Sequence, residues 1–193
     1  MNIDWDEEEI AEEAQDELEK HKKEFLDDDI IEFREEVRKN NGFTVWLGGP
    51  GYDNDLYPIR KLVREILENE GFEVIYSENL KLRRDLVVKE LDEIERKSDL
   101  AILLAISPGA SAEAIEFSQY DYLRSKISVF VPEEFEGGYV FRSLKYNSEV
   151  IDDECTFSLE KMGGEKPDYG VIKTIWERVD RNLMDNYREN IGV

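Results

Sequence analysis

The chain has 193 residues, of which 40% are apolar, and a formal net charge of −22 from 47 acidic and 25 basic side chains. That balance excludes the phosphate backbone of a nucleic acid and an anionic membrane as binding surfaces, since both require positive charge. No apolar run approaches the roughly 20 residues that a membrane-spanning helix needs, and one cysteine, Cys155, leaves no internal disulfide framework.

The first residues, Met1 to Glu7, are acidic and read as neither a secretory signal nor a transit peptide, so a cytoplasmic location is expected. A net charge this large destabilises the compact chain by self-repulsion. Molar salt shortens the Debye length to about 3 Å and relieves it, which fits a halophilic source.

In chain order, residues 1–42 form an acidic extension without proline, and glycine enters only at its end. Ile10, Ala14, Leu18, His21 and Phe25 recur at helical spacing. Asp27-Asp28-Asp29 opens a second helix carrying Ile30, Phe33 and Val37, and Asn40-Asn41-Gly42 closes it. We read this segment as a solvated helical hairpin packed on the main domain, in preference to an arm that pairs subunits. His21, the only histidine, is expected to pack between helices, and Cys155 to be a small buried or semi-exposed side chain.

From Phe43 the pattern alternates between strands and helices. Phe43–Leu47 reads as a strand, Tyr57–Glu70 as an amphipathic helix closed by Gly71, and Phe72–Tyr76 as a second strand. A helix over Leu86–Lys97 precedes the continuous apolar strand Leu100–Ile106, of the kind buried on both faces of a parallel sheet. Ser111–Arg124 is the next helix, Ile127–Val131 a fourth strand, Glu149–Ile151 a short fifth, and Gly170–Asn190 a closing helix. This alternation predicts right-handed crossovers and an α/β domain over residues 43–193. The expected architecture is a doubly wound, mostly parallel sheet of flavodoxin-like order 2-1-3-4-5. Such sheets bind ligands at the carboxyl ends of their strands, near the switch point between strands 1 and 3. Two loops are thereby selected, Gly48–Asp55 and Ser107–Ser111.

Several machines are excluded. There is no Walker A sequence and no G-x-G-x-x-G. With one histidine, in the extension, a Ser-His-Asp or Cys-His apparatus and a histidine-based zinc site are not available. The first selected loop, Gly48-Gly49-Pro50-Gly51-Tyr52-Asp53, suits either a tight turn or close approach of a ligand to backbone. In the second, Ser111 is expected to cap the helix, which puts Glu113 in its first turn, where the positive helix end favours a carboxylate. Glu116 follows one turn later, where it could share a face with Glu113.

Gly-Gly-Pro-Gly-Tyr after the first strand, Ser98-Asp99 leading the third, and the G-x-x-x-E run Gly109–Glu113 after it together resemble the nucleoside 2-deoxyribosyltransferase family. The likeness spans about Phe43–Val131. It implies Glu113 as the nucleophile, and Gly48, Gly49, Pro50 and Tyr52 as the loop that holds a nucleoside or nucleotide. It also implies substrate-binding places for Asp99, Gly109 and Ser111; Glu116 is a further candidate from the helix face it could share with Glu113. The family's second acid stands eight residues before Asp99; that position is Leu91 here, and neighbouring Asp92 is the candidate. A homo-oligomer is implied, and no metal or cofactor. An ionised carboxylate would attack the anomeric carbon while a second acid protonates the departing base.

Two other readings use the same architecture. Ile106-Ser107-Pro108 followed by Ser111 and Glu116 resembles TIR-like domains, some of which cleave the N-glycosidic bond of NAD or act in signalling. A nucleotide-binding or interaction protein without turnover is the third.

Overall fold

The computed structural model describes residues 3, 5–76, 86–146, 155–164 and 167–192. Within them, strands β1 (Thr44–Gly48), β2 (Glu73–Ile75), β3 (Leu100–Leu104), β4 (Ile127–Pro132) and β5 (Thr156–Phe157) form one sheet in the order 2-1-3-4-5. Every pairing is parallel, with Trp46 opposite Ala101 and Ile102 opposite Ser128. All five residues of β3 and all six of β4 are buried, as central strands covered on both faces require. The strand expected at residues 149–151 lies outside the described residues. β5 instead pairs Thr156 and Phe157 with Val131 and Pro132.

Helix α3 (Tyr57–Asn69) opens on Pro58 and buries Ile59, Leu62, Val63, Ile66 and Leu67, the stripe its periodicity predicts. It ends at Gly71, whose φ of +87° is a left-handed conformation that glycine adopts without strain. There the Gly71 and Phe72 amides reach back to the Glu68 and Leu67 carbonyls at 2.9 and 3.0 Å, the paired bonds that close a helix C-terminus. Helix α4 (Leu86–Lys97) buries Leu91 and Ile94, and α5 (Pro108–Phe117) follows β3. Two short 3-10 segments, Asp121–Lys126 and Glu133–Phe135, flank β4. Helices α6 (Tyr139–Lys145) and α7 (Leu159–Met162) precede the long α8 (Gly170–Ile191). Right-handed crossovers put α3 on one face of the sheet and α4 with α5 on the other, because the chain reverses direction at β2. No helix among the described residues is long and apolar enough to cross a membrane.

The acidic extension forms α1 (Glu7–Phe25) and α2 (Asp28–Asn41), as the spacing predicts. Gly42, at φ +62°, closes α2. The two helices lie against α3 and α8 as an additional layer. The buried stripe of α1 is Ile10, Ala14, Leu18 and Lys22, so a lysine rather than His21 continues it inward. His21 sits to the side, with Nε2 2.5 Å from Glu177 and its ring 4.7 Å from that of Phe25. On α2, Val37 and Arg38 are buried, whereas Ile30 and Phe33 are exposed, with Phe33 set edge-on to Tyr187.

What holds this layer is a buried polar network. Lys22 Nζ lies 2.6 Å from Glu70 Oε2, and Gln15 Nε2 donates to Glu70 Oε1 at 2.7 Å. Arg38 donates to Glu70 at 3.0 Å and to Asp180 at 3.3 Å; Arg34 also pairs with Asp180, and Trp176 Nε1 donates to Glu70 at 3.1 Å. Burial pushes the Glu70 carboxyl up, but Lys22, Gln15 and Arg38 together outweigh it and hold the group below its ordinary value.

Candidate functional site

The carboxyl end of β1 is shaped by two close approaches. A Cβ on Gly48 would lie 2.5 Å from the Trp46 ring, and one on Gly49 would lie 3.1 Å from the Arg60 side chain. Neither glycine has a positive φ, so close packing rather than backbone conformation selects them. The buried Arg60 of α3 donates to Leu47 O at 2.8 Å and Pro50 O at 3.2 Å, which pins the loop from below. Pro50 is buried, while Tyr52 is 79% exposed. Asn54 Oδ1 accepts from the Leu56 amide at 2.9 Å and turns the chain into α3.

At the end of β3 the expectation about capping is corrected. Ser107, not Ser111, caps α5: its hydroxyl accepts from the Ala110 amide at 3.3 Å, and Pro108 takes the first helical position. Proline is suited there because that position has no intrahelical use for an N–H. Ser111 lies inside the helix, buried, and donates to Ala105 O at 3.1 Å. Glu113 therefore stands beyond the first turn and owes little to the helix dipole. It is half-buried, whereas Gly109 and Glu116 are exposed.

One contact relates Glu113 to the first loop. Phe117 is fully buried and meets Trp46 edge-on, with ring centroids 5.8 Å apart. Glu113 precedes Phe117 by four residues, so it lies on the same flank of α5, about 6 Å nearer the helix start. Gly48 follows Trp46 by two residues, so it lies on the same face of β1, about 6.6 Å nearer the strand end. Because α5 runs antiparallel to the strands, both displacements point to the carboxyl edge of the sheet. Glu113 thus stands on the carboxyl-edge side of the Trp46–Phe117 contact, while the Trp46 ring itself covers Gly48.

Two other candidate residues do not join them. Asp99 stands at the amino end of β3, the opposite edge of the sheet. Its carboxylate accepts from the Thr44 amide at 2.8 Å, and its own amide donates to Thr44 O at 2.8 Å, so it ties the starts of β1 and β3. Asp92 is on the outer face of α4, in an ion pair with Arg96 at 2.8 Å. Leu91 and Ile94 together set the buried face of α4: Glu90, four residues before Ile94, falls on that face and Asp92 falls off it. Glu90, 4% exposed, is the buried acid of α4, and it is the residue that sequence spacing passed over. α4 and α5 lie on the same face of the sheet, so Glu90 and Glu113 are carried by helices of one layer. No protein-family model matches the chain, and no curated protein matches it significantly.

Proposed function

We propose that the chain acts on the N-glycosidic bond of a nucleoside or nucleotide, with Glu113 as nucleophile and Glu90 handling the proton of the base. What supports this reading is half-buried Glu113 on α5, one turn before Phe117, whose ring contact with Trp46 sets this helix against the carboxyl half of β1. A Glu113 oxygen attacks the anomeric carbon as the bond to the base nitrogen breaks. The bonding pair leaves with the base, and Glu90 supplies the proton. A second base, or water, then attacks the same carbon and releases the Glu113 carboxylate. Transfer and hydrolysis differ only in that second acceptor. Exposed Tyr52 is available to stack on a base.

The test is incubation of the protein at low and high salt with 2′-deoxynucleosides or their monophosphates, with and without a free acceptor base, followed by chromatography. Base release or exchange that is lost in Glu113→Gln supports the proposal. Retention of turnover in that variant removes Glu113 from the chemistry. Consumption of NAD instead, sensitive to Glu116→Ala, would favour the TIR-like reading.

A further inference from the structure

A groove runs between α5 and α6, on the flank of α5 away from Glu113. Its first stretch, about 630 Å³, is floored by Pro108, Ala112, Ile115, Phe135 and Val140. Through Ile115 and Tyr139, which line both parts, it continues into a second stretch of about 560 Å³ beside Ser143 and Tyr146. The outer lip is aromatic and open to solvent, with Tyr139 76% and Tyr146 94% exposed. Exposed aromatics over an apolar floor are the composition of an interface centre.

Among the described residues, the charges along the groove are segregated. Glu134 and Glu136 line the stretch where α5 and α6 begin. Arg142 lines the stretch where they end, and exposed Lys145 follows it. Glu134 is already engaged, since it accepts from Ser158 Oγ and the Leu159 and Glu160 amides, which leaves Glu136 to mark the acidic end. A cationic ligand along the groove would be matched at Glu136 and opposed at Arg142, and an anionic ligand the reverse. A second copy of this chain turned by a two-fold axis satisfies both ends, because the rotation reverses the direction of the groove.

We propose that this groove is a self-association surface. In the pair, Glu136 of each copy faces Arg142 of the other, and Tyr139 and Tyr146 pack in the centre. Long-range repulsion between two chains of charge −22 opposes this dimer, and salt relieves it.

The experiment is sedimentation equilibrium of the full chain at about physiological salt, where the Debye length is about 8 Å. The variants are Glu136→Arg, Arg142→Glu and the double exchange; both positions are exposed, and circular dichroism checks that each variant folds. Wild type is expected to dimerise. Each single reversal should weaken the dimer by about tenfold by facing like charges across the axis. Glu136→Arg should do so even though it lowers the net charge from −22 to −20. The double exchange, which keeps the net charge at −22, should restore affinity to within about threefold of wild type. A monomer at all accessible concentrations overturns the proposal. So does a dimer indifferent to both single reversals, or a double variant no tighter than the weaker single.

Discussion

Lys22, on the fourth inward turn of α1, places its ammonium 2.6 Å from the Glu70 carboxylate at the end of α3, and both side chains are almost wholly buried. The two residues are 48 positions apart, so this pair fixes the acidic extension to the α/β domain. Removing one partner of a buried pair leaves the other charge desolvated, a loss of about 3–5 kcal/mol. Lys22→Ala should sit at the lower end of that range, because Arg38, Gln15 and Trp176 still serve Glu70. Calorimetric unfolding of the full chain checks this. The paired exchange Lys22→Met with Glu70→Gln, which removes the orphaned charge but keeps a side-chain oxygen for the other donors, should cost less than Lys22→Ala if an orphaned charge is the cause.

The same network predicts an acid limit to stability. Burial raises the Glu70 carboxyl, but its cationic partners dominate and lower it below the ordinary value of 4.5. A group depressed on folding contributes stability that is present above its unfolded value and is lost as pH falls through its folded value. Denaturant midpoints should therefore fall as pH drops below about 4.5. Glu70→Gln, destabilised at neutral pH, should show a shallower fall over that window.

The corrected start of α5 is open to a direct comparison. Ser107→Ala removes the side-chain cap and should cost about 1 kcal/mol. Gly109→Ala meets no atom within 4 Å and exchanges glycine for a better helix former, so it should be neutral or stabilising by up to about 1 kcal/mol. Gly48→Ala forces the Trp46 ring to move and should cost about 1–3 kcal/mol as an overpacked site. Chemical denaturation of the three variants separates these signs.

Much of the fold was legible because local pattern and burial agree. The Ile59–Leu67 stripe, the unbroken apolar β3 and the alternation of elements all follow from spacing. Lys22 escaped because periodicity favours apolar residues, and its reason for being inside is a carboxylate far along the chain. Ser107 and Ser111 are equally good caps in isolation; Pro108 decides between them. For the site, the two loops at the carboxyl edge were readable from topology. Asp99 was misplaced because its position in the sequence leading β3 does not say which edge of the sheet it serves. Asp92 and Glu90 differ by two residues, and only the phase of α4, set by Leu91 and Ile94, tells which faces inward.

The central claim is that Glu113 performs the first step, and trapping its covalent product tests that most directly. Wild-type chain reacted with a 2′-deoxy-2′-fluoro nucleoside, then digested and analysed by mass spectrometry, should carry a fluorodeoxyribosyl group on Glu113 and show release of free base. Glu113→Gln should show neither. Base release without any adduct on Glu113, or equal release by Glu113→Gln, would contradict the account.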